Sequence, residues 1–244
     1  MKKFLSALIC VSLLSSVAPV ALAVSDHPVP IDGSDSENIP MTIDATYSGS
    51  GLLEATEEDM AYWALHQKES RPSDDISPLA SSWMPLDPFT YYKQNTNNTC
   101  TIACTRMALK YVTGSAPSET TIKAVTGAPC SIASAVDYFN DYTSKYQYAA
   151  KYNATKRSMK NDLYNCISDG APPILGIHMT TTDGWPYNLD CHAVAAYSVR
   201  SDKSEFALCD PWAGYKGQKE WQWYDKSADD LYAAYDAVNA GYMY

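Results

Sequence analysis

The sequence predicts an α+β fold in which helices come first and an antiparallel sheet follows. Between residues 100 and 167, apolar side chains recur at helical spacing. From residue 172 onward, short apolar runs alternate with polar turns, the pattern of strands. Most of the net negative charge lies ahead of both regions, so the globular domain is expected to begin near residue 86.

The first helix is expected over 100–112. Cys100, Cys104, Met107, Ala108 and Tyr111 fall on one face, and Gly114 closes the helix. A short helix follows from Ser118 to Val125. Two more cover Ser131–Tyr142 and Ser158–Ile167. Pro172–His178 then reads as a strand after a turn. Cys191–Val199 and Glu205–Asp210 read as a hairpin, joined by the polar turn Arg200–Ser204. Trp221–Tyr224 suggests another strand, and Ala228–Ala237 a closing helix. No internal repeat is visible.

The start of the chain has a different character. Lys2 and Lys3 precede an apolar run that ends Ala21-Leu22-Ala23, the pattern of a secretory signal cleaved before Val24. The expected product is secreted, extracellular or held at the cell surface. No later run approaches the roughly 18 apolar residues of a membrane span. Residues 24–85 carry 12 acidic and 2 basic residues. Their Ser, Asp and Pro content suits a leader with one helix over 52–67. This leader admits two readings: a solvated linker, or a removable pro-segment that covers a cleft. The net charge of −10 argues against nucleic acid as a partner, because phosphate binding needs a concentrated positive face. No paired-histidine metal motif appears, and no cofactor is implied.

Six cysteines follow the signal: Cys100, Cys104, Cys130, Cys166, Cys191 and Cys209. In an exported protein these could form three disulfides, or one could be a reactive thiol. Cys100 stands where an Asn-rich loop meets a helix start. A cysteine becomes a nucleophile as a thiolate, which a helix N-terminus and a nearby imidazolium both favour. Four histidines are available. His27 and His66 lie in the leader, and His178 sits within an apolar strand. His192 opens a strand at a loop, where catalytic groups are exposed on a rigid frame. Asp210 ends the next strand, so a hairpin would set it beside His192 to orient the ring. Gln94, six residues before Cys100, can donate an amide N–H to an oxyanion. The same hairpin reasoning predicts a Cys191–Cys209 disulfide on the opposite face.

Gln94 with Cys100, the helix ending ALKYVTG, and the later segments GAPPILGI, CHAVAAYSV and CDPW resemble the peptidase C39-like branch of the papain-like cysteine peptidases. The resemblance spans roughly residues 86–240. It implies a papain-like fold, with a helical lobe followed by a sheet lobe, and peptide-bond cleavage through a thioester. It also implies Cys100 as nucleophile, His192 as general base and acid, Asp210 as orienter and Gln94 as oxyanion donor. Its partner would be a peptide or protein substrate. Thr101 and Cys191 stand where that family usually has glycine, and both crowd the backbone near the cleft. They motivate one alternative, a binding module that keeps the fold without catalysis. A cell-wall peptidoglycan endopeptidase or amidase, with similar Cys-His chemistry, is another.

Overall fold

The computed structural model describes residues 28, 30–33, 52–53, 55–66, 81–212, 223–238 and 240–244. The expected signal segment, His27, most of the leader and residues 213–222 lie outside the described residues. Among the described residues, no helix is long and apolar enough to cross a membrane.

The α+β expectation holds, with helices before strands. Helices α2 (Cys100–Thr113), α3 (Glu119–Thr126), α4 (Ile132–Tyr142) and α5 (Lys156–Ser168) precede the main strands β5 (Ile174–Met179), β6 (Leu189–Arg200), β7 (Glu205–Cys209) and β8 (Trp223–Ser227). Helix α6 (Ala228–Asp236) follows β8. Three shorter strands complete the main sheet: β2 (Trp83–Pro85), β4 (Ala150–Lys151) and β9 (Tyr242–Met243). Its order is β4-β9-β5-β6-β7-β8, all antiparallel. β2 pairs with the far end of β6, in line with β5. Two-residue strands offer too little alternation to register in a sequence scan, so β4 and β9 went unforeseen.

Local chemistry sets the helix ends. Ser118, Ser131 and Thr155 each accept a backbone N–H from three residues on. That Thr155 cap starts α5 two residues earlier than expected. α2 ends at Gly114, whose φ of 80° is left-handed, and the glycine N–H donates to the Lys110 carbonyl. Every residue from Cys100 to Leu109 is buried. The helix is therefore central, covered on all sides, where the sequence suggested a single apolar face. Cys100, Cys104, Met107 and Ala108 join the main core. Ile102 packs in a second cluster with Ile122 and Ala135.

The leader contributes to this body. Its helix α1 (Glu57–His66) begins later than the expected residue 52. The reason is a reciprocal cap: Thr56 N–H donates to Asp59 Oδ2 at 3.0 Å and Asp59 N–H to Thr56 Oγ1 at 3.1 Å. Leu52 instead forms an isolated bridge with Cys130 and is fully buried. It lies over Gly176, where an added Cβ would come within 2.6 Å of Leu52 Cδ2 and 2.5 Å of Ala240 Cβ. Trp63 of α1 is also buried in the main core. Upstream, β1 (Ile31–Asp32) runs parallel to β3 (Thr90–Tyr91), which leads directly into Gln94.

On the sheet's far side, buried Lys151 meets Asp162 at 2.8 Å, and the Tyr242 hydroxyl donates to the same carboxylate oxygen at 2.6 Å. The three residues tie β4, α5 and β9 together.

Leu52→Ala is expected to lower unfolding stability by about 2–5 kcal/mol, the usual cost of emptying a packed leucine site. Urea unfolding of the variant against the parent chain measures it. A linker residue would change stability by less than about 0.5 kcal/mol.

Candidate active site

β6 and β7 place the histidine and aspartate. β7 ends at Cys209, opposite Ala195. One further step sets Asp210 across from Val194, on the face His192 shares by alternation. The two side chains meet there: His192 Nε2 lies 2.7 Å from Asp210 Oδ1, with the imidazole 2% exposed and the carboxylate fully buried. The Cys100 thiol is near enough to His192 to act electrostatically on the ring. Since Nε2 is committed to Asp210, Nδ1 is the ring nitrogen that faces the sulfur. Cys100, His192 and Asp210 are thus brought together as the sequence proposed.

The same register corrects the disulfide expectation. Cys191 and Cys209 do share a face, opposite that of the histidine. Cys191, however, lies four residues along β6 from Ala195, the partner of Cys209. At about 3.3 Å per residue they are roughly 13 Å apart, against the roughly 4–7 Å between Cα atoms that a disulfide spans. Cys100, Cys104 and Cys130 are free thiols.

Cys100 is the first residue of α2, and Thr99 before it makes no side-chain cap. The Cys100 sulfur therefore sits at a helix N-terminus that no side chain caps. Cys104, one turn later, has a different environment. Its thiol donates to the Ala193 carbonyl at 3.4 Å. Burial, then the neighbouring Cys100, Cys209 and Asp210, push its pKa well above the usual range, so it stays a neutral thiol.

Gln94 is wholly buried and held in place from two sides. Its backbone N–H donates to the Pro211 carbonyl at 3.0 Å, beside Asp210. The next residue, Asn95, donates its N–H to the buried Glu119 carboxylate at 3.2 Å. The Gln94 side-chain amide donates one hydrogen to the Thr96 carbonyl at 2.7 Å. Its Oε1 has no hydrogen-bond partner among the described residues, and neither has the buried Thr101 hydroxyl.

Asp210 also shapes its own turn, accepting the Trp212 N–H on Oδ1 at 2.8 Å. Turn-former and orienter are therefore one residue. Its other oxygen, Oδ2, accepts two phenols, from Tyr187 at 2.6 Å and Tyr224 at 2.8 Å. Sequence reasoning singled out neither. With 19 tyrosines in the chain, residue type alone offered no signal. The Trp212 ring stands edge-on to His192 at 6.2 Å and walls the site.

His178 takes no part. It follows Ile177, the β5 partner of His192, so it points to the other face, where Nδ1 lies 3.0 Å from the Asp190 carbonyl. His66 ends α1 in the leader.

Burial alone would push the imidazole pKa of His192 down. The Asp210 charge and hydrogen bond, with a smaller contribution from Cys100, outweigh burial and raise it to about 10. An imidazolium between a thiol and a carboxylate can hold a thiolate as an ion pair and later return a proton.

The Peptidase_C39 like family matches residues 86–241. No curated protein matches the chain in sequence. Among solved structures, the chain is similar to the proform of Amb a 11, a cysteine protease and ragweed pollen allergen. Identity there is 12%, covering 82% of this chain and 74% of the other, with a TM-score of 0.45. Digestive procathepsin L 3 of Tenebrio molitor larval midgut matches at 13% identity, covering 79% and 82%, with a TM-score of 0.41. Xylellain, a cysteine protease from Xylella fastidiosa, matches at 14% identity, covering 83% and 92%, with a TM-score of 0.41.

A raised folded-state pKa stabilises the fold fully below the ordinary histidine value of 6.5, and that contribution is lost as pH climbs toward about 10. Stability of the parent chain is expected to fall across that window. A His192→Gln variant should lack this part of the decline, as urea unfolding at stepped pH will show.

With the match extending over most of the chain, it belongs to the Peptidase_C39 like family and is a cysteine-type peptidase.

Proposed function

We propose that this protein is a secreted peptidase that cleaves peptide bonds through Cys100, His192 and Asp210, with Gln94 as an oxyanion donor. One observation carries the reading: His192 bonds the buried Asp210 carboxylate through Nε2 at 2.7 Å, which leaves its other nitrogen for the thiol at the start of α2. In this scheme the Cys100 sulfur attacks the scissile carbonyl. The oxyanion is met by the second Gln94 amide hydrogen and the Cys100 backbone N–H. His192 passes its proton to the leaving amine, forming a thioester. It then takes a proton from the water that hydrolyses this ester. Asp210 keeps the imidazole in one orientation throughout.

The acidic leader acts as a pro-segment in this reading. Cys100 and Gln94 have no solvent exposure, so a peptide must displace covering chain to reach the sulfur. β1 lies against β3, which runs straight into Gln94. Export rests on the basic, apolar and Ala-x-Ala start of the chain.

After limited proteolysis of the leader, a thiol-directed peptide epoxide should label the protein once, at Cys100, and Cys100→Ala should abolish both labelling and hydrolysis. Gln94→Ala should reduce turnover by about 10²–10³-fold while leaving labelling detectable. Parallel assays on casein and on purified cell walls identify the substrate class. Equal hydrolysis by the parent chain and Cys100→Ala would refute the scheme.

A further inference from the structure

Resting on that reading, we propose that Tyr187 and Tyr224 are positioning residues: their phenols clamp the far oxygen of Asp210 and thereby aim its near oxygen at His192 Nε2. The carboxylate is fully buried and accepts four donors. His192 Nε2 at 2.7 Å and Trp212 N–H at 2.8 Å meet Oδ1. Tyr187 at 2.6 Å and Tyr224 at 2.8 Å meet Oδ2. This saturates the acceptor capacity of an ionised carboxylate, which has about four lone-pair sites.

The clamp supplies what Asp210 lacks alone. An aspartate carboxyl turns broadly about its last torsion, and this one stands past the end of β7 rather than within it. The Trp212 N–H fixes only the oxygen that histidine already uses. The phenols hold the opposite one and arrive from separate elements, Tyr187 from the loop before β6 and Tyr224 from β8. Their rings are themselves packed. Tyr224 stands edge-on to Trp185 at 5.9 Å, and Tyr187 lies against Trp212 at 6.5 Å. Burial, then the adjacent Asp210 charge, hold both phenols well above their usual pKa, so they remain donors.

The titratable groups facing the imidazole are Asp210 after β7 and Cys100 on α2. Behind the carboxylate stand the two phenols, with Cys104 of α2 and Cys209 of β7 close by. Releasing Oδ2 lets the carboxylate swing from Nε2. The imidazolium then loses its main support.

The test uses the full chain with Tyr187→Phe, Tyr224→Phe and the double variant, since phenylalanine keeps the ring packing. The readout is the pH profile of Cys100 alkylation by iodoacetamide, which needs no knowledge of the substrate. In the parent, the alkaline limb should lie near 10, where the imidazolium is lost. Each phenol removed should slow alkylation about tenfold at neutral pH, the scale of one hydrogen bond to a charged group. The limb should also move down toward 6.5, furthest in the double variant. A merely structural role would lower thermal stability and leave the limb in place, and an unmoved limb overturns the clamp. If the double variant does not fold, each single variant must still show a partial shift for the proposal to stand. A parent chain whose Cys100 shows no selective alkylation, either intact or after limited proteolysis of the leader, refutes the peptidase scheme itself, and the clamp with it. A reactive parent with an unshifted variant refutes the clamp alone.

Discussion

One buried anion organises the centre of this molecule. The Asp210 carboxylate is sealed from water, and an ion there would be costly without partners. Every element around it supplies one: an imidazole from β6, a backbone N–H from its own turn, and phenols from the loop before β6 and from β8. Even Gln94 is tied in, through the Pro211 carbonyl of the same turn. The positions of His192, Gln94 and the two tyrosines thus all follow from where that charge sits.

The helix and the sheet are joined at the same place. Cys104 donates to the Ala193 carbonyl, one residue from His192. That contact keeps the first turn of α2 at a fixed height over β6. Two thiols one turn apart consequently have unlike fates. One is at the uncapped helix tip beside an imidazole, and the other donates to a β6 carbonyl and is held neutral by burial and neighbouring groups.

Much of this was legible in the sequence because it rests on periodicity and on residue scarcity. The order of helices and strands followed from spacing. With four histidines, two of them in the leader, His192 stood out quickly, and its pairing with Asp210 followed from hairpin alternation. Alternation also put Cys191 and Cys209 on a common face. It could not give the register along the hairpin, which is why the disulfide failed. The tyrosine partners of Asp210 were hidden for another reason: they come from separate elements, and nothing local marks two of 19 tyrosines as special. The leader was misjudged in part. Low apolar content is a sound average over 24–85, yet single residues such as Leu52 and Trp63 reach the core and are invisible to composition.

The seat of Leu52 over Gly176 has a consequence for any proteolytic trimming of the leader. Gly176 pairs with Ala193, the neighbour of His192, so that leucine supports the strand next to the one that carries His192. A protease that trimmed the leader would meet a boundary it could not cross without unpacking this support. Cuts on the N-terminal side of residue 52 would trim the acidic extension and spare the scaffold. Removal of everything up to residue 85 would withdraw a piece of the enzyme's own interior.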